Sequence, residues 1–158
     1  MSARSALEFL CEKYRRRKFA SDGIEWAVSE LIEGSDSDSL RRLAATLKPS
    51  DWWEVEPLLR ASFAELGYPW LAETDCYFAC VDATARDIVE DRISPKDGCA
   101  RIVKLAGWLW FQEGLTVWEY LYDNRDPSDR RELSHDEFAV AVKATAAAWL
   151  RTRQRAPE

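Results

Sequence analysis

Glu30 and Glu33 stand three residues apart, as do Asp87 and Glu90, with Asp91 one place further on. On a helix each such pair shares a face. Carboxylates on two facing helices can hold Mg²⁺, which polarises a phosphoryl oxygen and activates water. The four cysteines offer a second chemistry. Cys76 and Cys80 are spaced i, i+4, within reach of each other on a helix, and zinc would need two more ligands from Cys11, Cys99 or His135. His135, the sole histidine, sits in Ser-His-Asp-Glu, and no G-x-S-x-G nucleophile turn accompanies it. The six glycines are scattered and form no G-x-x-x-x-G-K-[ST] phosphate loop.

Each feature has a simpler explanation. Carboxylates at i, i+3 recur on any solvated amphipathic helix, and free cysteine packs as a small apolar residue. Ser134 with Glu137 has capping-box spacing, which makes His135 an exposed residue at a helix start. The sequence therefore assigns no catalytic residue, no cofactor and no metal. Glu30, Glu33, Asp87 and Glu90 remain as an alternative metal set.

The elements that carry these residues read as helices throughout. Ala6, Leu7, Leu10, Cys11 and Tyr14 have helical spacing within residues 3–18. The basic run Arg15 to Lys18 would then stabilise the negative end of that helix dipole. Asp22 can cap a second helix that stops at Gly34, and SDSDS (35–39) is a polar link. A short helix follows and ends before Pro49. Asp51 and Glu54 have capping-box spacing, and Pro57 predicts a fresh helix start near Glu56. Residues 71–91 make a long helix. Ser94, Pro95 and Asp97 open the next, and Ser134 opens the last, through AVAVKATAAAWL. TVWEYLY (116–122) has strand-like composition, but a lone strand has no partner here, so helix is preferred.

GWLWFQEGLTVWEYLYD, residues 107–123, holds six aromatic rings. On one continuous helix, Ile102, Leu105, Trp108, Phe111, Leu115, Trp118 and Tyr122 form a stripe, and Trp110, Val117 and Leu121 form another. The spacing predicts a central helix, or a pair broken at Gly114, buried on two sides. The competing possibility leaves one stripe open as a partner groove. Trp52 and Trp53 are adjacent, so one points to the core and the other is a surface anchor.

Charge is unevenly placed. Residues 1–20 carry six basic and two acidic side chains, whereas residues 21–140 carry twenty-five acidic and twelve basic ones. An acidic midsection argues against nucleic acid, which needs cations facing phosphate. No apolar run approaches the ~20 residues of a membrane helix. The basic cluster follows the first apolar residues, the reverse of a secretory signal, so a cytoplasmic chain with four reduced thiols is expected. Aromatic residues beside carboxylates suit a basic protein partner. The partner-binding candidates are Trp52, Trp53 and Glu54, with Asp123, Asp126 and Asp129 after the aromatic run.

ARDIVEDRISPKDGCARI, from Ala85 to Ile102, resembles a turn–helix segment of uncharacterised bacterial helical proteins with the pattern I-x-P-x-x-G-A/C-x-x-I. Ile93, Pro95, Gly98 and Ile102 match, and Arg92 replaces a frequent glycine. The resemblance implies a helix start at Pro95 and a close helix approach at Gly98, with no activity. The carboxylate spacing resembles the E-x-x-E and E-x-x-D patterns of all-α nucleoside-triphosphate pyrophosphatases. That resemblance implies Mg-dependent hydrolysis as the alternative function. The leading expectation is a non-enzymatic, all-α protein of seven to eight helices. It would form one domain over residues 1–158, as a bundle or short curved array, with loose ends near 1–3 and 152–158. It would bind another protein in a toxin-neutralising or adaptor role.

Overall fold

The computed structural model describes residues 3–16, 20–47, 50–110, 114–123 and 133–155. Among these lie eight α-helices and no strand: α1 (Ala3–Arg16), α2 (Ala20–Ile32), α3 (Asp38–Ala44), α4 (Trp52–Glu65), α5 (Glu73–Val89), α6 (Pro95–Trp108), α7 (Thr116–Asp123) and α8 (His135–Arg155). The all-α expectation holds, and TVWEYLY is helical. The chain divides into two compact units, Met1–Cys76 and Tyr77–Glu158, with the boundary inside α5.

Local chemistry sets several of the helix starts. Ser37 caps α3, its Oγ accepting from the Leu40 backbone N–H at 3.2 Å. Ser94 caps α6 by accepting from the Asp97 N–H at 3.1 Å, with Pro95 at the first helical position. At α8, the Glu137 carboxylate accepts from the Ser134 N–H at 2.9 Å, and the Ser134 Oγ accepts from the Glu137 N–H at 3.3 Å. His135 is exposed in this turn.

Two expectations need correction. Asp22 lies in the first turn of α2 and not at its cap. Pro57 restarts nothing. It sits inside one continuous α4, where it withholds a single N–H from the Trp53 carbonyl on an exposed edge. Of the two forms expected across 102–122, the pair broken at Gly114 is the one found: α6 and α7, with Trp110 and Gly114 in positive-φ backbone between them (φ 51° and 89°). A chain in that conformation cannot continue a right-handed helix. At the ends, Ala3 is helical and α8 runs through Arg155; the remaining end residues lie outside the described set.

In the first unit, α2, α3 and α4 pack together around Ile24, Trp26, Leu40, Leu43, Val55, Leu59 and Phe63. The rings of Phe9, Trp26, Tyr68 and Trp70 gather about Phe63 or one another, with centroids 4.9–6.4 Å apart. Polar groups join α3 to α4: the Ser39 N–H and Oγ both donate to the Glu65 carboxylate, at 3.0 and 2.6 Å.

In the second unit, α6, α7 and α8 pack around Ile102, Ala106, Leu115, Trp118, Leu121, Phe138, Val142 and Ala146. The Trp149 indole donates to Asp82 at 2.7 Å and stacks on Phe78. Just past the end of α5, Asp91 takes a left-handed conformation (φ 57°), which lets the Arg92 N–H reach back to the Asp87 carbonyl at 2.8 Å.

The aromatic run is thus split in its fate. Trp118 is fully buried, while Trp108, Tyr120 and Trp110 are 48%, 67% and 92% exposed. The two-sided burial expected for this run does not hold: on α7 Trp118 and Leu121 are buried, whereas Val117 and Tyr120 are exposed.

Candidate functional site

Trp52, Glu56 and Arg60 follow one another at single-turn intervals along α4, so their side chains lie in one row. The Trp52 indole donates to the Glu56 carboxylate. Arg60 donates to the same carboxylate through Nε and a terminal nitrogen, at 3.0 and 2.8 Å. Helix α1 brings Lys13 and Tyr14 to this row, and the segment after α4 brings Trp70. The Lys13 ammonium lies 4.6 Å from the Trp52 ring centroid, 4.6 Å from Trp70 and 4.9 Å from Tyr14. Arg60 lies over Trp70 as well, at 4.4 Å. The Tyr14 hydroxyl donates to the Leu71 carbonyl at 2.8 Å, which fixes that ring. Glu56 stands 3.9 Å from the Lys13 nitrogen. The result is a cage of three rings with one carboxylate in its wall and a lysine inside.

The electrostatics follow from this arrangement. Burial holds Lys13 below the ordinary lysine range, more than the Glu56 charge compensates. Burial also raises the Tyr14 phenol. At Glu56, burial acts upward, but the hydrogen bonds from Arg60 and Trp52 and the Lys13 charge outweigh it and hold the carboxyl low. Hydrogen bonds from Ser39 hold Glu65 low too. A depressed carboxyl stabilises the fold above its unfolded value, about 4.3, and that contribution vanishes as pH falls through the folded value. Glu65→Gln should therefore melt below wild type at neutral pH. The gap should close on acidification below about pH 4, as thermal melts across pH would show.

Of the partner-binding candidates, Trp52 forms a cage wall, and Trp53 points outward, 72% exposed. Asp51 and Glu54 beside it are exposed, and the Glu54 carboxylate also accepts from the Asp51 N–H at 3.3 Å. Asp123 is an exposed residue ending α7, and Asp126 and Asp129 lie outside the described residues. Lys13, Tyr14, Arg60 and Trp70 were missed by sequence reasoning. Glu56 was missed as well, although the i, i+4 spacing of Trp52, Glu56 and Arg60 on one helix could have found part of the cage.

The alternative carboxylates are placed less favourably for a metal. Glu30 is fully buried, with one oxygen accepting from Ser35 at 2.8 Å and the other without a partner among the described residues, while Glu33 is exposed. Asp87 is buried and paired with Arg92 at 2.7 Å, while Glu90 is exposed and also contacts Arg92. Each i, i+3 pair is split between interior and solvent, since three residues is 300° of helical turn and not a full one.

The thiols also differ from expectation. Cys11 and Cys80 are disulfide-bonded, and Cys76 and Cys99 are buried thiols outside any disulfide. This withdraws two thiolates from any zinc set and removes the support that four reduced cysteines gave to a cytoplasmic chain. The Cys76 thiol lies 3.1 Å from the Cys11 sulfur, and burial pushes it up to about 12, leaving it protonated and unreactive at neutral pH. Alkylation of the unreduced, denatured protein should label two of the four cysteines by mass. Four labels would mean that the bond does not form.

The arrangement defines an all-α protein with a caged lysine and a neighbouring exposed tryptophan rimmed by acid. No family model matches the chain, and no curated protein or solved structure matches it. No helix among the described residues is long and apolar enough to cross a membrane.

Proposed function

We propose that the chain is a non-enzymatic interaction protein that receives a basic protein partner on the surface at the start of α4. The observation that carries this reading is Trp53, exposed between Asp51 and Glu54 and next to the ring cage. A large aromatic in water gains by being covered, and tryptophan is the commonest interface anchor. The surrounding carboxylates would speed the approach of a cationic surface. A toxin-neutralising or adaptor role is the kind of work such a surface performs.

The test is capture from the host followed by association kinetics. The captured partner should be basic, and association should slow as salt rises past ~0.1 M, where screening reaches ~10 Å. Trp53→Ala should weaken binding about tenfold or more without moving the melting temperature. An acidic partner, or rates indifferent to salt, would defeat the reading. Among the described residues, the unpartnered oxygen of buried Glu30 favours the Mg-dependent hydrolase alternative. Micromolar Mn²⁺ binding lost in Glu30→Gln would promote it.

A further inference from the structure

We propose that the cage of Tyr14, Trp52 and Trp70, closed by Glu56, is the receptor for a methylated ammonium side chain of the partner, with Lys13 as its tethered stand-in. This rests on the interaction reading above and names the chemistry of one contact within it.

The argument starts from what Lys13 lacks. A primary ammonium carries three N–H donors. Ring faces attract its charge but offer it no conventional acceptor lone pair. The Glu56 oxygen, at 3.9 Å, is beyond hydrogen-bond distance. Lys13 therefore gives up hydration inside a site that returns charge and ring contact but no short hydrogen bond. The depressed basicity of Lys13 reflects that same loss. A trimethylated ammonium has no N–H to satisfy, is less strongly hydrated, and carries its charge on methyl groups that fit against ring faces. It keeps the attraction to the rings and to Glu56 without the desolvation that burdens Lys13.

The site is also reachable. The Lys13 side chain is 13% exposed, that of Glu56 is 26% exposed, and all three rings are partly exposed. The lysine stem is a flexible four-carbon chain, so it can withdraw without moving α1. Exposed Trp53 lies one residue along from a cage wall, so a partner covering Trp53 brings its own side chains to the opening. A partner side chain is accordingly favoured over a free small cation.

The probe is a short arginine-flanked peptide carrying one trimethyllysine. Controls are the same peptide with acetyllysine, choline as a free trimethylammonium, and the neutral tert-butyl isostere of choline. Lys13→Ala empties the cage and should bind the trimethyllysine peptide about tenfold or more tighter than wild type does, because the internal competitor is gone. Trp70→Leu or Glu56→Gln in that background should reverse the gain, and the acetyllysine peptide and the neutral isostere should show none. Choline should bind the emptied cage more weakly than the peptide. In wild type, saturating trimethyllysine peptide should expel Lys13 and speed its acylation by an amine-reactive ester severalfold, with the exposed Lys104 of α6 unchanged, as mass spectrometry would map.

The proposal is overturned if folded Lys13→Ala shows no gain, if the neutral isostere binds equally well, or if choline matches the peptide. Should Lys13→Ala not fold, an unchanged Lys13 acylation rate in wild type overturns it alone. Failure here with a basic, salt-sensitive host partner would leave the docking reading standing through another contact. A peptide-binding cage with an acidic host partner would defeat the docking reading instead.

Discussion

Trp118→Ala is expected to destabilise the protein by about 3–5 kcal/mol, read from denaturant midpoints followed by helical circular dichroism. The ring is fully buried on α7, which packs against α6 and α8. Nothing nearby is free to fill the space, since Leu115, Ile102 and Val142 are themselves fully buried. The Trp118 indole N–H has no hydrogen-bond partner among the described residues, so the native residue already carries a desolvation cost. Trp118→Phe removes that donor while keeping most of the volume, and should cost less than about 1.5 kcal/mol. Trp108→Ala should stay within about 1 kcal/mol, because half of that ring is already in water. Equal losses at Trp108 and Trp118 would contradict the break between α6 and α7.

Gly98→Ala provides the second large effect. Helix propensity alone favours alanine by up to about 1 kcal/mol. The added Cβ, however, would stand 2.4 Å from Ile88 Cγ1 and 2.6 Å from its Cδ1, with Ile93 Cγ2 at 3.4 Å. Ile88 is fully buried and its Cγ1 is fixed close to the α5 backbone, so it has nowhere to retreat. The clash should outweigh propensity and leave a net loss of about 1–3 kcal/mol. Ile88→Ala removes both clashing atoms at its own cost of about 2–5 kcal/mol. In that background Gly98→Ala should cost almost nothing, and the double-mutant cycle measures the coupling. Additive losses would mean that the approach of α5 and α6 is not what requires glycine.

These examples mark what was legible in the sequence. Helix starts at Ser94 and Ser134 could be read because a cap is a contact between residues three apart. The glycine at 98 could be read from the resemblance of its segment. A break at Gly114 could be read as one of two options, but the choice between them could not. A stripe at helical spacing continues on paper across residues 109–115 whether or not the backbone does, because periodicity carries no information about a φ that changes sign. Pro57 misled for a related reason: proline excludes a hydrogen bond but does not compel an end. The cage assembles residues 13–14, 52–60 and 70, and only the middle set has a local pattern. The state of Cys11 and Cys80 is a matter of spatial neighbours, which composition does not supply.

Trp110 joins two costs in one residue. Its backbone occupies a left-handed conformation that bulky side chains rarely adopt, and its ring is 92% exposed. Folding gains little from either, since such a φ costs on the order of 1–3 kcal/mol and an uncovered ring gains little burial in return. In the language of selection, the position is a concession: glycine would relax the backbone and shed an adhesive group in a single step. A laboratory lineage selected for heat resistance alone would be expected to make that exchange early. A lineage selected also for what the protein does would keep the ring only if its use lies outside the fold.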